Sequence, residues 1–136
     1  MSQRERIAYD FAVLRVVPHV YLGEFSPIGV ILHARTAEFL GMRTLSDPDL
    51  LRERFPDLDH ELLGRYLGTY QAICAGDPDA GPVALEPPSE RFHWLTSPRS
   101  DVLQTSPIHE GLCDDPAEVL EALFRDYVVR GRPLRR

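Results

Sequence analysis

The stretch Ile7-Ala-Tyr-Asp-Phe-Ala-Val-Leu-Arg-Val-Val17 decides the architecture. It is rich in β-branched and aromatic residues and contains neither glycine nor proline. Ala12, Leu14 and Val16 share one parity. Tyr9, Phe11, Val13 and Val17 share the other, interrupted only by Arg15. A strand apolar on both faces is one covered on both sides, so this segment is expected at the centre of a sheet. Pro18 ends it, because proline removes a ladder donor.

Working outward, Val20–Phe25 reads as a short extended piece and Ile28–Ala34 as a second strong strand. Gly29 inside that strand predicts a bulge or a close backbone approach. Phe39–Leu45 reads as a third strand, with Thr36–Leu40 open to a helical turn instead. The pattern then becomes helical. Asp47-Pro48 and Asp59 are N-terminal caps. Leu62, Leu63, Tyr66, Leu67, Tyr70, Ile73 and Cys74 recur at helical spacing, and Gly76 stops that helix. Gly64 and Gly68, four apart, are candidates for close packing against a neighbour, including a second copy of the chain.

Residues 76–89 hold four prolines and two glycines and read as a surface loop. Arg91–Thr96 and Val102–Ser106 read as later strands, with Pro107 interrupting any extension towards Leu112. Asp115-Pro116-Ala117-Glu118 opens a last helix through Val129. The order predicts an α+β fold: a mainly antiparallel sheet, made of an N-terminal meander plus two later strands, with a central helical pair and a C-terminal helix packed on it. The premise is that front meander and late strands share one sheet.

The 136 residues suit a single domain, 1–136, with a flexible arginine-rich tail over 130–136. A chain of this length buries about two thirds of its unfolded surface and needs no disulfide or metal for a core. Its two cysteines, Cys74 and Cys113, make neither a disulfide framework nor a zinc knuckle. No metal and no cofactor is expected. All fifteen basic side chains are arginine, and lysine and asparagine are absent, which reads as a GC-rich bacterial genome. Net charge is −6, which argues against a nucleic-acid partner, the basic tail being the local exception. No apolar run approaches the ~18 residues of a membrane span. The N-terminus lacks the apolar stretch of a signal peptide, so the expected location is cytoplasmic.

Two stretches resemble a known family. Tyr9–Pro18 leads to Gly23-Glu24-Phe25-Ser26-Pro27-Ile28-Gly29-Val30, and Ser106-Pro107-Ile108-His109-Glu110-Gly111-Leu112 precedes Asp114-Asp115-Pro116 and the final helix. Nearly the whole chain is similar to the bacterial family catalogued as domain of unknown function 3037. Its motif reads Gly-Glu-x-x-Asn-x-Gly-Val. Gly23, Glu24, Gly29 and Val30 match, and Pro27 stands where the asparagine belongs. The resemblance carries no assigned activity. It implies a partner, through genes that lie beside HipA-like kinases in some members.

Four residues are candidates for a binding site. Glu24 could hold a cation or a partner, or fix its own turn by bonding backbone amides. His109 could act as a general base if an acid such as Glu24, Glu110 or Asp114 orients it, or be an ordinary loop histidine. Arg15 and Arg99 together would suit an anion, and Arg15 alone could equally face solvent or pair with an acid. Ser97, Ser106 and His109 supply the ingredients of nucleophilic catalysis without a nucleophile-elbow sequence. Two functions follow. The first is a non-catalytic interaction or accessory module. The alternative is a small enzyme or ligand-binding domain whose pocket gathers Arg15, Glu24, Arg99 and His109.

Overall fold

In the computed structural model, which describes residues 6–18, 24–99 and 101–134, the central strand is β1, Ile7–Val16. It is hydrogen-bonded on both edges. β2, Ser26–Ala34, runs antiparallel to it on one side, and β3, Phe39–Thr44, lies outside β2. On the other side two short strands share the edge. β4, Leu103–Thr105, pairs with Leu14–Val16, and β5, His109–Cys113, pairs with Ile7–Phe11. The front meander and the late strands thus form one antiparallel sheet.

The alternation of β1 sends its side chains to two cores. Leu14 and Val16, with Ile28 and Ile31 of β2, meet α1 (Pro48–Arg54), α2 (His60–Ala75) and α3 (Pro88–Leu95) on one face. Phe11 and Val13, with Val30, Leu32 and Ala34, meet α4 (Pro116–Phe124) and the π-helical turn Arg125–Val129 on the other.

The helix starts follow from local chemistry. The side chains of Asp47, Asp59 and Asp115 accept hydrogen bonds from the backbone N–H groups of Asp49, Leu62 and Ala117, each at 3.0 Å. They satisfy donors that the first helical turn leaves without partners. Gly76 ends α2 with a φ of 73°, a left-handed conformation suited to glycine.

Gly29 serves both purposes expected of it. The β1–β2 register slips between Leu14 and Arg15, where Leu14 faces Gly29 and Arg15 faces Pro27. A Cβ on Gly29 would lie 2.7 Å from Thr44 Cγ2 and 2.8 Å from the Arg43 carbonyl oxygen. The Thr36–Leu40 alternatives are both realised, as a 3-10 turn over Arg35–Ala37 followed by β3.

Two expectations need correction. Arg91–Thr96 is not a strand but the body of α3, which starts at Pro88 and buries Phe92 and Leu95 three residues apart. The second late strand is β5 instead. Residues 76–89 are also more ordered than a plain loop. They contain 3-10 turns at Pro78–Ala80 and Pro82–Leu85, and Ala84 is buried. Arg91 fastens them, donating to the carbonyls of Glu86, Ile73 and Cys74. Gly64 and Gly68 lie on the exposed side of α2 with nothing within 4 Å of an added Cβ. The Val20–Phe25 piece up to Gly23, Ser100, and Arg135 and Arg136 of the tail lie outside the described residues.

The two kinds of glycine should separate on mutation. Gly29→Ala is expected to lower the unfolding free energy by about 1–3 kcal/mol, the cost of overpacking. Gly64→Ala, in open space on a helix, should raise it by up to about 1 kcal/mol. Urea denaturation of both variants checks the pair.

Candidate functional site

The four sequence candidates occupy different surroundings. Arg99 belongs to the α2–α3 side. Its guanidinium donates to the Trp94 carbonyl at 2.6 Å and the Tyr70 hydroxyl at 2.8 Å, and lies over the Trp94 ring at 4.3 Å. A cation on the last carbonyls of α3 complements that helix end, so the side chain is occupied in holding the fold. His109 sits on the opposite face, because its β1 partner is Phe11 and the two rings are 5.5 Å apart. Phe11 in turn stacks on Tyr127 at 5.9 Å. Glu24 is exposed and makes no hydrogen bond or ion pair among the described residues.

Arg15 is the candidate with an unresolved charge. It lies on the α4 side, with its guanidinium 4.0 Å from the centre of the Phe25 ring. One Nη donates to the Thr105 carbonyl at 3.4 Å, while its Nε is buried without a partner. Burial lowers its pKa from the ordinary arginine value. No carboxylate among the described residues forms an ion pair with it. Arg15 lines two hollows, one towards Ser97, Thr105 and Ile108 and one towards Phe25 and Tyr127. Arg99 lines a different hollow, with Tyr66 and Trp94. The two arginines therefore do not form one anion clamp.

Ser106 is also taken up by the fold. Its Oγ accepts from the Val13 N–H at 2.8 Å and donates to the Pro107 carbonyl at 2.9 Å, while its own N–H donates to the Val13 carbonyl. It bridges the gap between β4 and β5 where Pro107 has no N–H to offer. Both cysteines are buried; burial pushes the Cys74 thiol up to about 11 and also raises Cys113. Such thiols are poor nucleophiles.

The structure assembles a polar row that spacing alone does not reveal. Glu110 of β5 faces Asp10 of β1, and Asp10 faces His33 of β2. These three, with Arg35, line an open hollow of about 490 Å³ on the sheet surface. His33 is 7% exposed, rests on the Phe92 ring at 5.4 Å, and makes no hydrogen bond among the described residues. No group of three or more His, Cys, Asp or Glu among the described residues has the geometry to hold a metal ion. The row is therefore an electrostatic surface: two carboxylates directly across a strand pair, an arrangement that disfavours itself unless a cation approaches.

Burial holds the His33 pKa below the ordinary histidine value, with Asp10 opposing the shift and Arg35 adding to it. As pH falls through about 6.5, the unfolded chain therefore takes up a proton that the native chain still refuses. The His33 contribution to stability is intact above that value and is lost below it, down to the lowered native pKa. Between about pH 7.5 and pH 5.5, urea midpoints of the wild type should fall further than those of His33→Gln. Equal pH slopes would place the titration elsewhere.

No helix among the described residues is long and apolar enough to cross a membrane. No curated protein and no solved structure matches the chain. A family model does match, over residues 11–128, from the middle of β1 to the π-helical turn. The chain thus belongs to the family described as "Protein of unknown function (DUF3037)".

Proposed function

We propose that this protein is a non-catalytic interaction module, accessory to a separately encoded enzyme, and that it docks through the β5 edge of its sheet. The observation that carries the reading is the condition of that edge. Among the described residues β5 pairs with β1 alone, and it leaves Leu112 59% and, just before the strand, Ile108 49% exposed. An unpaired strand edge is a template for an added strand, in which main-chain bonds supply affinity and alternate side chains supply specificity. Ile108, Glu110 and Leu112 share one parity, so the face offers an acid between two apolar side chains. Asp10 stands directly across from Glu110. The matching partner is an extended segment with one basic side chain flanked by apolar ones.

The dispersal of the sequence candidates supports the same choice. Arg99 is consumed in capping α3, Ser106 in joining two strands, and His109 lies against Phe11. The family resemblance suggests a HipA-like kinase as the enzyme served. In that case the chain would act by occupying a surface of the kinase, with no chemistry of its own, in the cytoplasm of a bacterium.

Affinity capture from the native host, with crosslinking and mass spectrometry, tests this. A HipA-like kinase crosslinked within residues 105–115 is the expected result. The double variant Glu110→Lys, Leu112→Lys should lose it while keeping its thermal midpoint. Capture of no partner, or of one that the double variant retains equally well, would overturn the reading.

A further inference from the structure

On the α4 side of the sheet, away from the β5 edge, a second hollow of about 310 Å³ opens beside Arg15. Its walls include Val13, Phe25, Pro27, Tyr127 and Leu134, with Arg15 and Arg132 as the charged groups. We propose that this cavity binds a small monocarboxylate with an apolar body, its carboxylate on the Arg15 guanidinium and its body against Val13, Tyr127 and Leu134.

Three observations converge on that chemistry. The first is the charge. Arg15 stands on the central strand at the parity of Phe11 and Val13, two members of the apolar core under α4. An arginine stays protonated in proteins, and a guanidinium drawn partly out of water needs an anion or a full set of acceptors. Arg15 has neither. Among the described residues its one hydrogen bond is the 3.4 Å contact to Thr105, and its Nε has no partner. The charge is therefore uncompensated within the described chain.

The second is the division of labour between the two arginines. Arg132 is partly compensated, 3.8 Å from Asp126, a carboxylate that it shares with Arg130. Among the described residues Arg15 is the cavity cation with no carboxylate partner, which places an anion on its guanidinium. The third is the wall. Phe25 covers one face of the Arg15 guanidinium at 4.0 Å. The Val13, Phe25, Pro27 and Leu134 side chains offer no hydrogen bonds to the outer oxygens of a phosphate, but they favour a hydrocarbon body. A volume of about 310 Å³ is at the small end of ligand sites, which commonly run from about 300 to 1,000 Å³. Phe25 is itself more than half exposed, so a body seated below it would also cover apolar surface now open to water.

Isothermal titration calorimetry on the full chain tests the proposal, with octanoate as the probe, octan-1-ol as its neutral counterpart and inorganic phosphate as the competing anion. Octanoate should bind one to one, at least about tenfold more tightly than octanol, as expected for a charge-assisted contact. Arg15→Met should remove that preference, and Leu134→Glu, which puts a carboxylate into the wall, should weaken octanoate to a similar degree. Equal binding of octanoate and octanol, displacement of octanoate by phosphate, unchanged affinity in Arg15→Met, or no heat at millimolar octanoate would each overturn it. Should Arg15→Met fail to fold by circular dichroism, the octanoate-to-octanol ratio on the wild type decides the matter.

Discussion

Everything in this molecule depends on β1 having both of its edges and both of its faces occupied. Its backbone is shared among β2, β4 and β5. Its side chains divide between the core under α2 and α3 and the core under α4. A strand placed so contributes to every layer at once, because burial of apolar area is the main favourable force and backbone groups removed from water must be paired. Arg15 keeps its place in the ladder but brings a charge to a half-buried position of the strand. The demands of the sheet fix its position, and its charge is left for something else to meet.

The same constraint explains how the late part of the chain is used. β4 and β5 are too short to stand alone, and proline separates them. The Ser106 side chain carries the ladder across that break by meeting the Val13 N–H. The result is an edge anchored at both ends to the central strand, with its outer side unpaired among the described residues. Glu110 and the exposed Leu112 sit on that edge, with Asp10 of β1 across from Glu110, because of the register and for no local reason. That strip of β5 rests on the sheet itself, whereas the hollow beside Arg15 is bounded by Phe25 and by the chain after α4.

Much of the fold was legible because its signals are local. Three aspartate caps, the glycine stop at Gly76 and the two-sided apolar pattern of β1 each act over a few residues. The failure at Arg91–Thr96 has an equally local cause. Phe92 and Trp94 alternate as a strand would, yet Pro88 at the first helical position and Glu90 in the first turn mark a helix start. The site was much less legible. Arg15 stood out as a charge in an apolar strand. The row Glu110, Asp10 and His33 joins residues from three strands, and only the pairing register brings them together. Arg99 looked like an anion ligand because sequence does not reveal that its donors end on the carbonyls of α3.

The break at Pro107 has one more consequence. A long, flat, unbroken border would let identical molecules stack side by side without limit, the route by which sheets grow into fibres. Here the ledge offers only five residues of β5 beyond the break, and Glu110 is the second of them. Like copies stacked there in parallel, in-register fashion would bring acid against acid. A border so short and so charged is a poor template for its own kind.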